Sequence, residues 1–233
     1  MSTKPVTAGE IFLFIPNLIG YSRVVLALAS LAVMSMHPKV CTWLYALSCL
    51  LDAFDGMAAR KFNQSTRFGA ILDMVTDRCT TSCLICFLCS TYPNWAIFYQ
   101  ILVSLDLASH YMHMYATITS GATSHKKVAK DRSSILSLYY TNSTVLFIVC
   151  AMNEMFFVGL YLYSFPPKTP PHLGYYKDIP LSYPTIILIF TFPVWLLKQV
   201  LNVIQMVAAA NILAAADVED RSKAAALESA KAK

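Results

Sequence analysis

Apolar residues run along this chain in six long stretches, separated by short polar or proline-bearing connections. They cover 11–36, 42–60, 68–92, 95–119, 139–165 and 184–213. Each is close to the roughly 20 residues that a helix needs to cross the hydrocarbon core of a bilayer. A backbone in hydrocarbon must satisfy its own hydrogen bonds, which helices and closed barrels do. The period-2 alternation of barrel strands is missing here. The pattern predicts an all-α integral membrane protein with six transmembrane helices. Pro16 falls near the start of the first and Pro93 closes the third. Residues 1–213 form the expected transmembrane domain, and 214–233 a polar C-terminal tail rich in Ala, Lys, Glu and Asp, read as a solvated helix or a frayed end. Residues 1–10 are short and polar with no cleavage-site pattern, so the first apolar stretch is expected to stay in the membrane.

Composition agrees with lipid as the solvent. Of 233 residues 57% are apolar and 13% charged, about half the charged share of soluble domains. The net charge of +5 is distributed by loop. Lys61 and Arg67 lie between the second and third stretches, Lys126, Lys127, Lys130 and Arg132 between the fourth and fifth, and Arg221, Lys223, Lys231 and Lys233 in the tail. The other set of connections has Lys39, Lys168 and Lys177, with a Pro-rich run from Pro166 to Pro171. Basic loops stay cytosolic, so both termini and the two basic loops are expected to face the cytosol. No basic run is interleaved with aromatics, so no nucleic-acid partner is expected. The cysteines number seven, and Cys79, Cys83, Cys86 and Cys89 cluster in one stretch. They lack two ligand pairs separated by a folded loop and scatter around a helix, so they read as small, buried membrane residues rather than a zinc site.

Acidic side chains change the picture most. Of thirteen acidic residues, four fall between Asp52 and Asp77, on two stretches that otherwise read as spans. A carboxylate at membrane depth needs a partner or a bound cation, and four together repel without counter-charge. Asp52 and Asp55, three apart, share a helical face, as do Asp73 and Asp77, four apart. A short loop around Asn63–Arg67 turns the chain back, so the pairs meet at similar depth near the basic loop. Four converging carboxylates describe a hard-cation site for magnesium or manganese, and two ions suit the charge better than one. Gly56, Ala59, Gly69 and Ala70 leave room for a substrate or a neighbouring helix, and Arg60 is placed to bind phosphate. The alternatives are buried ion pairs with Arg60, Arg67 or Arg78, or an ion path.

The full spacing is specific. Asp52, Asp55-Gly56, Ala59-Arg60, Gly69, Asp73 and Asp77 fall at the positions of the CDP-alcohol phosphotransferase signature, and the chain resembles that family. The resemblance implies its six-helix fold, a homodimer and an active site at the cytosolic face. By position, Asp52 and Asp73 would bridge two divalent ions, Asp55 and Asp77 would complete one site each, and Asp77 would be the general base. Gly56, Arg60 and Thr66 fall where the family contacts the CDP-lipid. The stretches 11–23, 51–79 and 104–113, and Ser124-His125-Lys126, are similar to eukaryotic members that use inositol. They imply transfer of a phosphatidyl group from CDP-diacylglycerol to myo-inositol, in the endoplasmic reticulum or also the Golgi.

The residues themselves support that acceptor in one place. Asp106, His110 and His113 fall at i, i+4 and i+7, one stripe of the fourth helix, able to hold a polyhydroxylated ring or to form a polar seam between helices. Asn17 and Arg23 read either as nucleotide or phosphate contacts or as helix packing, and Lys198 either snorkels or lines a cavity. Two other readings remain: a different acceptor such as choline, ethanolamine, glycerol phosphate or serine, and a divalent-cation transporter. The latter does not need Gly56, Ala59, Arg60 and Gly69 at their spacing.

Overall fold

The computed structural model describes residues 7–119, 142–165, 175–176, 179–180 and 182–231. Among these, the helices are α1 (Ala8–Phe12), α2 (Ile15–Val33), α3 (Pro38–Lys61), α4 (Arg67–Thr91), α5 (Ala96–Thr119), α6 (Ser143–Tyr163) and α7 (Tyr183–Lys231). A 3-10 turn, Pro93–Trp95, links α4 to α5. The departure from all-α is a two-residue antiparallel ladder of β1 (Tyr175–Tyr176) with β2 (Ile179–Pro180).

The first expected span is broken at residues 13–14. Pro16 sits at the start of α2 behind the N-cap Phe14. Proline has no N–H to give and clashes with the carbonyl four residues back, so it begins a helix rather than continuing one. The preceding turn, α1, is closed by a Thr7–Glu10 capping box. The Thr7 backbone N–H donates to the Glu10 carboxylate at 2.7 Å, which holds that carboxyl below its ordinary range. The sixth expected span, α7, runs past residue 213 to Lys231, because Ala, Lys and Glu are strong helix formers. Its exposed tail carries a Lys223–Glu219 pair at 2.8 Å. The basic loop with His125, Lys126 and Arg132, the Pro-rich run, Lys177 and the first residues of the fifth expected span lie outside the described residues.

Among the described residues, four helices are long and apolar enough to cross a membrane: α2, α3, α6 from Thr144, and α7. The other two long helices, α4 and α5, have 25 and 24 residues but carry Asp73, Asp77 and Arg78, or Asp106, His110 and His113. Exposure is inverted relative to a water-soluble fold. Trp43 is 78% and Ile97 74% exposed, whereas Arg23, Lys198, Asn17 and Asn202 are buried. Apolar side chains outside and polar ones between helices are what a hydrocarbon solvent selects. The chain is a membrane protein with an all-helical framework. Cys79 and Cys86 are exposed on the apolar exterior of α4 rather than buried as expected, because their spacing turns them off the packed face; none of the seven cysteines is in a disulfide.

The described structure divides into two compact units, 1–96 with 157–172, and 97–156 with 173–233. In the first, α2 packs along α3 and against α4. The Ser48 hydroxyl donates to the Arg23 carbonyl at 3.1 Å, and the Tyr161 hydroxyl to the Met34 carbonyl at 2.6 Å. In the second, α7 buries Thr191, Trp195, Lys198, Asn202, Gln205 and Ala209. Their alternating spacing of four and three is the stripe that faces a partner helix. Val149 and Leu201 centre its apolar core, and Trp195 stacks on Phe156 with ring centroids 4.4 Å apart.

Candidate active site

The turn between α3 and α4 sets the site. Asn63 has φ 53°, a left-handed conformation that asparagine tolerates better than most residues. The Gln64 N–H donates to the Ala59 carbonyl at 2.9 Å and the Asn63 N–H to the Arg60 carbonyl at 3.4 Å. This is a Schellman end, which satisfies the last carbonyls of α3 and reverses the chain. Thr66 then caps α4, its hydroxyl accepting from the Gly69 N–H at 3.0 Å. The Gln64 side chain accepts from the Ile15 N–H at 3.0 Å and so ties the turn to the start of α2.

The hairpin brings the expected carboxylates together. Ligand oxygens of Asp52, Asp55 and Asp73 lie within 4.8 Å of one another. Asp77 joins them through a residue from a third helix, Arg23 of α2. One guanidinium nitrogen of Arg23 meets Asp55 at 2.8 Å and Asp73 at 2.5 Å, the other meets Asp52 at 2.8 Å, and the second nitrogen also contacts Asp77. Arg78 approaches Asp77 at 3.7 Å. The main partner of the four acids is therefore Arg23, not the Arg60, Arg67 or Arg78 that sequence offered. The reason is packing: α2 lies along both α3 and α4, which spacing along the chain does not report.

A cavity of about 210 Å³ adjoins this cluster. Gly56, Arg60 and Thr66, the three residues singled out for the CDP-lipid, all line it, as do Asp55 and Asp73. Asn17, Gln64 and Ser65 also line it; sequence gave a signal for the first, a polar side chain in a span, and none for the other two. Gly69 is required by space. A Cβ there would sit 2.7 Å from Asn17 Oδ1 and 3.1 Å from the Thr66 hydroxyl. Thr66 thus has a structural task as the cap of α4 besides lining the cavity.

Asp106, His110 and His113 lie on α5 in the other unit. Asp106 is buried, and His110 Nδ1 is 2.8 Å from the Asp106 carbonyl and 3.5 Å from its carboxylate. His113 is half-buried one turn on. Asn202 of α7 reaches Asp106 at 3.5 Å, the Lys198 ammonium donates to Asn202 at 2.6 Å, and Gln205 donates to the Ser109 carbonyl at 3.2 Å. Of the two readings for Lys198, snorkelling does not hold: it is buried within this seam. Sequence missed Asn202 and Gln205, although their place on the stripe of α7 was visible.

The donor set in the first unit fits divalent cations. It consists of hard carboxylate oxygens, and it already gathers around a positive group, the Arg23 guanidinium. Three of the four acids stay accessible, with Asp52, Asp73 and Asp77 side chains 39%, 42% and 33% exposed.

The profile of the family described as CDP-alcohol phosphatidyltransferase matches residues 13–216. Named relatives match nearly end to end. A protein of Schizosaccharomyces pombe named CDP-diacylglycerol--inositol 3-phosphatidyltransferase is 59% identical, over 94% of this chain and 96% of its own. Proteins of the same name from Saccharomyces cerevisiae and Homo sapiens are 47% and 45% identical, covering 94% and 92% of this chain and 94% and 97% of theirs. No solved structure matches. A family of transferases leaves the cation-transporter reading without support. With the profile spanning all four aspartates and the cavity beside them, the chain belongs to the CDP-alcohol phosphatidyltransferase family.

Proposed function

We propose that the chain transfers the phosphatidyl group of CDP-diacylglycerol to myo-inositol, forming phosphatidylinositol and releasing CMP. The observation that carries this is one cavity shared by Gly56, Arg60 and Thr66 with Asp55 and Asp73, in a chain whose named relatives carry that activity in their names. Gly56 lets the nucleotide approach the helix backbone, while Gly69 lets Asn17 of α2 pack against the start of α4. Arg60 offers a forked, permanently charged partner to the diphosphate. Asp52, Asp55, Asp73 and Asp77 would hold two divalent ions, magnesium or manganese, which would supply positive charge to the diphosphate and the departing CMP.

Asp77 acts as the general base. It takes the proton of the attacking inositol hydroxyl, whose oxygen forms the new bond to the lipid-side phosphorus while the bond to the CMP oxygen breaks. Asp106, His110 and His113 supply hydrogen-bonding groups for the inositol ring, an arrangement that rejects acceptors without matching hydroxyls. In the bilayer α4 and α5 join the four apolar helices to give six spans, with 1–213 as the catalytic domain and 214–233 as a cytosolic tail. Both termini and the active site face the cytosol, in the endoplasmic reticulum and also the Golgi, and the chain acts as a homodimer.

The test is direct. Purified protein in detergent is given CDP-diacylglycerol, manganese and a panel of radiolabelled alcohols: inositol, choline, ethanolamine, serine and glycerol phosphate. Label is expected in lipid with inositol, with equimolar CMP release. Label with another acceptor and none with inositol overturns the acceptor assignment.

A further inference from the structure

Arg23 is the most enclosed charge in the first unit. Its side chain is 2% exposed, and its carbonyl is fixed by Ser48. It approaches the four aspartates from the buried side, and both terminal nitrogens are committed to them. The contacts take one oxygen from each carboxylate: Oδ1 of Asp52, Asp73 and Asp77, and Oδ2 of Asp55. Nothing else in the described structure gathers all four.

Four carboxylates this close repel strongly when no cation lies among them. A buried guanidinium, in turn, is tolerable only when hydrogen-bonded to negative groups. Each side therefore solves the other's problem. The planar fork matters as much as the charge, since it fixes where each carboxylate points.

We infer that Arg23 is a positioning residue that works through the aspartates: it is a built-in counter-cation that holds them converged before divalent ions arrive. It grips one oxygen of each from the buried side, and ions are received from the exposed side. This has a definite sign. The metal-free cluster depends on Arg23, whereas the ion-loaded cluster has other positive charge. Removing Arg23 therefore raises the energy of the metal-free form more than that of the loaded form, and by linkage it tightens metal binding. Arg23 gives geometry at the expense of affinity. The inference rests on the reading of the quartet as a cation site, but not on the identity of the acceptor.

The test uses the full chain in detergent, without substrates. Mn2+ binding is followed by loss of the free-ion electron paramagnetic resonance signal, and thermal unfolding is recorded with chelator and with saturating Mn2+. The native protein is expected to lose little thermal stability in chelator. Arg23→Gln is expected to unfold several degrees lower in chelator, to recover most of that loss with Mn2+, and to bind Mn2+ about tenfold tighter. Arg23→Lys keeps the charge but not the fork, so its Mn2+ affinity is expected within about threefold of native while turnover falls. Equal or weaker Mn2+ binding by Arg23→Gln overturns the inference. So does an Arg23→Gln protein that cannot be recovered folded even in saturating Mn2+, since the ions should then replace the lost charge. If the native protein binds no Mn2+, the cation reading of the quartet itself fails, which is a different result.

Discussion

In the α2–α4 cluster four carboxylates share one guanidinium, whereas in the α5–α7 seam a single carboxylate, Asp106, sits with Asn202, Lys198 and His110. The first is lopsided and open, with three acids a third or more exposed. The second is nearly balanced in charge and closed, with Asp106 8%, Lys198 2% and Asn202 1% exposed. Both bury polar groups in an apolar exterior, so burial alone does not distinguish them. Surplus of one charge together with access from outside marks the region that needs an external ligand. A seam that matches its own donors and acceptors holds helices in register by itself, whether or not it also meets a ligand.

The largest expected effect sharpens that contrast within the cluster. Asp77→Asn keeps shape and volume but cannot accept the acceptor's proton at neutral pH. Transfer is expected to fall at least about 10³-fold, with CDP-diacylglycerol binding and thermal stability largely kept. Normal turnover in that variant would remove Asp77 from its role. Next comes removal of divalent ions. Chelation is expected to stop transfer and readdition of magnesium or manganese to restore it, while circular dichroism shows the helices unchanged. Activity that persists in chelator would leave the quartet as an ion pair with Arg23 and nothing more.

Much of this was legible from sequence, for reasons that also explain what was not. The spans expected at 68–92 and 95–119 fall within a residue or two of α4 and α5, because apolar length and proline position act locally. The pairing of Asp52 with Asp55 and Asp73 with Asp77 follows from helical pitch, and the turn at Asn63 from its length. Arg23 is visible as a charge in a span, but its place at the centre depends on how α2 lies against two other helices, whose aspartates Asp55, Asp73 and Asp77 are 32, 50 and 54 residues away in sequence and Asp52 nearer. The break before Pro16 is masked in the sequence because the apolar run continues straight through it. Six spans were read where four helices pass on length and apolarity, since α4 and α5 carry the very polar groups that serve chemistry or packing.

A smaller effect tests the cavity. Gly69→Ala forces a Cβ to within 2.7 Å of Asn17 Oδ1, and Asn17 is 1% exposed with its amide donating to the Ile11 carbonyl at 2.6 Å. Neither side can give, so α2 and α4 must part or Asn17 must leave its place. A drop of about tenfold to a hundredfold in kcat/KM for the CDP-lipid is expected, with a lower melting temperature. Gly56→Ala meets only the end of the flexible Arg60 side chain, at 3.5 Å, so it should weaken donor use while leaving stability alone. Asn17→Ala placed on Gly69→Ala should restore part of the stability. Equal stability losses in the two glycine variants would contradict this account of the helix contact.

The smallest effect asks whether the seam is as self-contained as it looks. Lys198→Met leaves Asn202 Oδ1 without the ammonium that donates to it at 2.6 Å, at a cost of roughly 1–3 kcal/mol. Asp106→Asn removes the matching negative charge and should cost about as much. If the two act as one balanced unit, the double variant is less destabilised than the sum, because neither charge is then left behind. Mn2+ affinity should be native in all three, in contrast to Arg23→Gln, since neither residue belongs to the quartet or to its Arg23 partner. KM for inositol then separates the remaining roles of Asp106. If that side chain meets the acceptor, Asp106→Asn raises KM while Lys198→Met does not. If it only joins helices, neither variant moves KM, and the acceptor contacts have to be sought beyond the seam.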